Sequence, residues 1–178
     1  MRRWVGLSST YCHMTLDYVR LKPEDGEGIK EMSEMATSIL RDYYDPILGK
    51  SQNDYMLDKY QSARSLKNQM SNGYRYYFAK YCGCNVGFLA FFPRSGGMYI
   101  SKLYLYRQNR GMGFGRAMID FVKDETAKDG LKYIELNVNR YNSAVGFYEA
   151  MGFSRIKSED NFIGAGFYMN DYVYRLEL

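Results

Sequence analysis

The sequence has little of what metal centres, membranes and nucleic acids require. A single histidine, His13, and three cysteines leave too few ligands for a tetrahedral zinc site, so no metal is expected. An odd cysteine count in a chain of 178 residues, long enough to fold without staples, fits a reducing compartment better than a disulfide framework. Cys82 and Cys84 flank Gly83 in what reads as a hairpin turn, and are expected to be exposed thiols. No apolar run approaches the ~18 residues that span a bilayer, and Met1 to Cys12 lacks an apolar core followed by a small-residue cleavage site. A cytoplasmic protein without a membrane partner is therefore expected. Blocks of five like charges are also missing. The 24 Lys and Arg against 20 Asp and Glu leave a formal charge of +4, too small and dispersed to argue for nucleic acid. Such a balance permits a phosphate-bearing ligand without demanding one.

What is present reads as one α/β domain. Residues 1–13 carry no pattern and stand as an N-terminal extension before Met14, an alternative start, so the domain is placed at 14–178. Leu16 to Leu21 reads as a strand. Pro23, Glu24 and Asp25 then open a helix whose apolar positions Ile29, Met32, Ala36, Ile39 and Tyr43 recur every three or four residues. Two shorter helices are expected at about 51–60 and 62–72, the second capped by Ser62 and ended by Gly73. From Tyr74 the period changes. Tyr74–Tyr81, Val86–Phe92 and Met98–Tyr106 are β-branched or aromatic runs separated by Gly, Asn, Pro and Ser, which describes an antiparallel meander. A glycine-rich turn, a helix from Gly115 to Asp129, a strand Leu131–Val138, a helix at 143–151 and two closing strands complete the chain.

Chemistry concentrates in Arg110-Gly111-Met112-Gly113-Phe114-Gly115-Arg116, between a strand and a helix. Such a turn gathers backbone N–H groups around one point at a helix N-terminus, where phosphates bind. Side chains in place of the glycines would hold a pyrophosphate away, and Arg110 and Arg116 can add charge-assisted bonds. A nucleotide P-loop would need Lys and Ser or Thr after its last glycine, but Arg116 and Ala117 follow Gly115. A dinucleotide fingerprint would need a glycine where Arg116 or Met118 stands, although Glu135 lies near the offset of a ribose-binding acid.

Arg-x-x-Gly-x-Gly in this setting resembles the pyrophosphate loop of the GNAT acyltransferases. The segment Asn142-Ser-Ala-Val-Gly-Phe-Tyr148-Glu-Ala-Met-Gly152-Phe153 resembles that family's Asn-x-x-Ala-x-x-x-Tyr-x-x-x-Gly-Phe pattern, with one residue fewer between the Asn and the Ala. The likeness runs from Leu16 to Leu178 and is sharpest from Met98 to Phe153. It implies a mostly antiparallel sheet flanked by helices and splayed at its middle strands, with acetyl-CoA as cosubstrate. By resemblance, backbone groups of Leu103 and Leu105 contact the acetyl and pantetheine portions, and amides from Gly111 through Met112, Gly113, Phe114 and Gly115 to Arg116 hold the pyrophosphate. Asn142 matches an asparagine that bonds the pantetheine arm, and Tyr148 a tyrosine that protonates the departing thiolate.

Acyl transfer to an amine needs a neutral nitrogen, a polarised carbonyl and a proton for the sulfur. An amine of pKa ~10.4 is only about one part in a thousand neutral at pH 7. Some polyamine-acetylating relatives place a glutamate where this chain has Ser101, so the base stays open between a water relayed by Ser101 and a distant acid such as Glu135. A bulge at Leu105 would free an N–H for the oxyanion. Tyr43, Tyr44, Asp45, Tyr55, Asp58 and Tyr60 are candidate acceptor walls, since aromatic faces and carboxylates suit a cation. The Tyr43-Tyr44-Asp45 run and the tail around Asp171 resemble bacterial members of the PaiA type, which implies a polyamine or other small primary amine. Acetylation of a protein N-terminus or lysine, and a non-catalytic acetyl-CoA sensor, are the alternatives. Expected partners are a small-molecule amine or peptide, with a homodimer allowed.

Overall fold

The computed structural model describes residues 15–178; the extension 1–13, His13 and Met14 lie outside the described residues. One seven-stranded sheet organises the chain. Its strands are β1 (Asp17–Arg20), β2 (Arg75–Tyr81), β3 (Cys84–Arg94), β4 (Gly97–Leu105), β5 (Tyr133–Asn139), β6 (Ser154–Gly164) and β7 (Phe167–Glu177). They run in the order β1-β2-β3-β4-β5-β7-β6, antiparallel everywhere except between β4 and β5. Helices α1 (Gly26–Leu48), α2 (Lys50–Gln61), α3 (Ala63–Ser71), α4 (Phe114–Lys128) and α5 (Val145–Ala150) cover it.

The alternation of side chains across the meander produces two cores. Leu89, Phe91 and Ile100 pack with Met118, Ile119 and Val122 of α4, whereas Phe88 and Ala90 pack with Met32, Ala36, Ile39 and Leu40 of α1 and Leu66 of α3. Helix α1 begins where Asp25 accepts from Gly28 N at 2.8 Å, a cap worth about 1 kcal/mol. Its buried stripe ends on Tyr44 instead of the expected Tyr43, because Tyr43 turns outward to bond the start of α5. Ser62 caps α3 as expected. Cys84 is an exposed free thiol, but Cys82 is disulfide-bonded, so the expectation of two free turn thiols holds for Cys84 alone.

The decisive irregularity lies in the middle of the sheet. Ala90 pairs with Lys102 and Phe91 with Ile100, so Ser101 is an extra residue on β4. A bulge bends its strand and sharpens the twist. Pairing of β4 with β5 covers only Met98–Ile134, Tyr99–Glu135 and Ile100–Leu136, and stops at that bulge. Beyond it the two strands part, and Leu103, Leu105 and Val138 border the opening.

Gly87 on β3 sits against the parted half of β4: a Cβ there would collide with Tyr104 O and press on Leu105. Because the collision is with backbone, no rotamer change relieves it. Gly87→Ala is expected to lose about 2–4 kcal/mol in urea denaturation, and a variant as stable as the parent would show that β4 moves freely at this point.

Candidate functional site

The opening between β4 and β5 leads to a cavity of about 490 Å³. Tyr106 N–H donates to Val86 O at 3.0 Å, so by antiparallel alternation the N–H and C=O groups of Leu103 and Leu105 point away from β3 into the gap. No bulge exists at Leu105, which pairs in register with Gly87; the expected bulge is at Ser101 instead. Parting of the strands, more than a local kink, frees the Leu105 backbone. Arg110 occupies its carbonyl, donating from Nε and Nη2 at 3.2 Å each while its guanidinium lies over the Tyr43 ring.

At the cavity mouth the chain makes a 3-10 turn, Arg107–Asn109, and enters α4. Gly111 and Gly113 take φ of +77° and +82°, a region closed to most side chains, and Gly113 is the N-cap. Gly115 is glycine for another reason: its Cβ would stand 3.2 Å from the Phe147 ring. The first helical bond runs from Ala117 N to Gly113 O, and no side chain caps the N-terminus. The preceding amides of the first turn are therefore open to an anion. Instead of the acid usual at a helix start, Arg116 stands there, where the helix dipole disfavours a cation unless an anion joins it. Arg110, Gly111, Gly113, Gly115 and Arg116 all line the cavity. The Met112 side chain is exposed and Phe114 is buried in the α4 core, so these two contribute backbone only.

Four tyrosines and Asn142 close the inner end. Asn142 accepts from Tyr43 Oη at 2.6 Å and from Ala144 N at 2.8 Å, and donates to Tyr44 Oη at 3.1 Å. Most of its amide thus ties α1 to α5, leaving one N–H for a ligand. Tyr43 also accepts from Ser143 N at 3.1 Å. Tyr148 lies on α5, buried, with its ring against Phe147 and Phe153. Burial, reinforced by the neighbouring Tyr44 and Tyr43, pushes its hydroxyl pKa up. Burial likewise pushes Tyr44 up to about 12 and Tyr104 well above the usual tyrosine value. These hydroxyls hold their protons at neutral pH.

Across the sheet a second, wider hollow of about 1010 Å³ shares Tyr44, Ser101, Lys102, Tyr104 and Asn137 with the first. Of the expected acceptor walls, Tyr44 and Tyr60 line it and Tyr43 lines the first cavity. Asp45 is bonded by Asn53 at 2.6 Å, Tyr55 donates to Ile163 O at 2.7 Å, and Asp58 is exposed on α2. Glu135 also lines the hollow but is gripped by Arg175 at 2.7 and 3.0 Å and by Arg94 at 3.2 Å. Burial opposes that grip, yet the two guanidiniums win and hold its carboxyl below the usual range. A weakened proton acceptor results.

Two groups in this hollow were passed over in the sequence. Lys102 is 6% exposed and, among the described residues, has no ion pair and one weak polar contact, to Ser101 Oγ at 3.5 Å. Burial pulls its ammonium down to about 8. The signal available was a lysine inside the aromatic run Met98–Tyr106. Asp171, on β7 opposite Asn139, is buried and its carboxyl is pushed upward, chiefly by burial.

The family model described as Acetyltransferase (GNAT) domain matches residues 44–176. Among solved structures, the PaiA N-acetyltransferase from Thermoplasma acidophilum in complex with coenzyme A superimposes with a TM-score of 0.74 at 20% identity, over 93% of this chain and 100% of that one. The ribosomal-protein-S18-alanine N-acetyltransferase from Escherichia coli follows at 0.64 and 16%, over 92% and 94%. A GNAT family acetyltransferase from Elizabethkingia anophelis with acetyl-CoA bound gives 0.61 and 13%, over 93% and 100%. No curated protein sequence matches significantly. At these identities the structures speak to the fold, which they share with this chain. Among the described residues no group of side chains could hold a metal, and no helix is long and apolar enough to cross a membrane.

Lys102→Met replaces a buried ammonium with an apolar chain of similar length. Below about pH 8 the folded protein carries that charge without a counter-ion. Between about 8 and 10.5 the unfolded chain binds a proton the folded one has released, so wild-type stability gains on the variant as pH rises. Urea denaturation at pH 7 is expected to find the variant more stable by about 1–3 kcal/mol, the margin closing toward pH 10.5. A margin independent of pH would contradict the unpaired charge.

Proposed function

The chain belongs to the GNAT acetyltransferase family, and on that premise we propose that it transfers the acetyl group of acetyl-CoA to the primary amine of a small molecule by direct attack. The observation that carries the reading is the pairing of an open strand edge at Leu103 and Leu105 with an uncapped, arginine-flanked helix start at Gly113. That fits an elongated cosubstrate with a pyrophosphate at one end and amide groups along its arm. The amides at Gly111 to Arg116 would take the pyrophosphate, with Arg116 beside it and Arg110 released from Leu105 O to join it. Backbone groups of Leu103 and Leu105 and the remaining N–H of Asn142 would receive the amide-bearing arm.

In the reaction a bond forms between the neutral amine nitrogen and the acetyl carbon, the carbon–sulfur bond breaks, the nitrogen gives up one proton to water, and the sulfur takes one. An N–H on the parted half of β4 can stabilise the developing oxyanion. Tyr148 lines the same cavity with its hydroxyl kept protonated by burial, and is the group placed to give the departing thiolate its proton. Glu135 is a poor base because two arginines satisfy it. The acceptor enters from the wider hollow, whose tyrosine faces suit an amine. Polyamines, the narrower expectation, are one class of such amines.

Release of CoA thiol from acetyl-CoA across polyamines, amino acids and short peptides tests the reading. Turnover with small amines is expected, and Tyr148→Phe is expected to lower kcat by about 10²-fold or more while acetyl-CoA affinity holds. Activity on peptides alone would move the acceptor to a protein; tight acetyl-CoA binding without turnover would make the chain a sensor.

A further inference from the structure

The charges around the wider hollow bear on which amine it admits. Five cationic side chains line it, Lys59, Arg94, Lys102, Lys157 and Arg175, against the three carboxylates of Glu135, Glu159 and Asp171. Glu135 is clamped between Arg94 and Arg175. Glu159 is paired with Lys157 and accepts from Asn161 and Asn137 at 3.2 and 3.3 Å. Neither carboxylate is left for a ligand. Lys59 donates to Tyr55 Oη at 3.2 Å and to Ile163 O, with no carboxylate beside it. Lys102 is the sharper case, because it is buried, lacks a counter-ion among the described residues, and stands where hollow and cavity meet. A buried ammonium is costly unless a partner arrives. Its surroundings supply none: Tyr76 presents a ring face 5.9 Å away and Ser101 a distant hydroxyl. Asp171, bonded by the Asn137 side chain, is the one carboxylate of the hollow held in no ion pair among the described residues.

A polyamine brings several ammonium groups to this surplus of positive charge, and its reactive end would approach Lys102 as like to like. We propose that the acceptor is an amine that also carries an anionic group, a carboxylate or a phosphate, which pairs with Lys102 while Asp171 faces the acceptor's ammonium. This deepens the acetyltransferase reading and rests on it. Lys102 is then a specificity-determining residue whose missing counter-ion is the substrate's own. The anion binds the protonated lysine, so recognition fades as pH rises past the point where the free lysine loses its proton, even as more of the acceptor amine becomes neutral.

The test uses matched acceptors that differ only in the anion: L-amino acids against their carboxamides, phosphoethanolamine against ethanolamine, with spermidine as the polycation. The less basic amine of a carboxamide favours it in the chemical step, so a preference for the acid reports recognition. CoA-thiol release should favour the anionic member at least tenfold in kcat/KM, carried by KM. The amino-acid and phosphoethanolamine arms tell carboxylate from phosphate. In Lys102→Met that preference should collapse below threefold, because KM for the anionic member rises to that of its uncharged partner. In the wild type, KM for the anionic acceptor should climb above about pH 8, a climb absent from Lys102→Met. Spermidine or an uncharged amine used as well as its anionic partner would overturn the inference and leave the acetyltransferase reading standing. Should no amine release CoA, calorimetric titration of the CoA-loaded protein decides. Amino-acid binding lost in Lys102→Met keeps the anion site without the enzyme, and absence of binding ends both.

Discussion

Backbone hydrogen bonds left without a partner control this molecule. A strand in the middle of a sheet normally has both edges satisfied, and each buried N–H or C=O left open costs about 1–3 kcal/mol. Here β4 is paired with β3 along its whole length but with β5 over only three residues. The protein fills part of the deficit itself, with the Arg110 guanidinium on Leu105 O. The α4 amides along the same cavity pose the same demand in a different form. Both sets of donors and acceptors face one elongated space, and a ligand that satisfies them must carry amides along its length and an anion at its end. Ligand selection therefore starts from the geometry of the backbone, before any side chain is considered.

The tyrosine-rich composition follows from that arrangement. Residues lining a gap in the sheet must be large and rigid enough to hold its walls apart, yet meet polar ligand groups. Tyrosine does both. Tyr43 and Tyr44 pack edge to face on α1 and reach Asn142 through their hydroxyls, while in the wider hollow Tyr74 stacks on Phe92 and Tyr99 meets Phe92 edge-on. The Tyr43 and Tyr44 wall is anchored both by ring packing and by hydroxyl bonds. The two cavities can thus communicate past Ser101 and Lys102 without the sheet collapsing across them.

Much of this was legible in the residues. The meander, the helix stripes and the glycine-rich turn depend on local periodicity and on φ, and those signals survive in a single chain. Gly111 and Gly113 carry the positive φ that their position suggested. What local pattern cannot carry is register. Ser101 reads as an ordinary strand residue until Ala90 and Phe91 are set opposite Lys102 and Ile100, and only then is it the bulge that parts the strands. Tyr43 and Asn142 are 99 residues apart, so their bond is invisible to any window. That is why Tyr43 was counted on the buried stripe and Asn142 on the ligand. Lys102 was hidden for a related reason: only pairing with Ala90 assigns it to the α1 face, beneath Tyr76, instead of to solvent.

The same register explains why catalysis here cannot rely on the nearest acid. Glu135 sits on β5 at the last stretch of true pairing, opposite Tyr99, and its neighbours there are the two arginines that the antiparallel partner β7 and the end of β3 supply. A carboxylate so placed stabilises the junction where the strands still meet, and it would surrender that grip if it took a proton. Asp171 lies farther along β7, beyond the point of parting, where burial raises its proton affinity and no ion pair holds it. Position relative to the split thus separates Glu135, which braces the sheet, from Asp171, which the Asn137 side chain bonds but no ion pair holds among the described residues. Lys102 stands beside the split itself, a buried ammonium without an ion pair among the described residues, bordering both spaces.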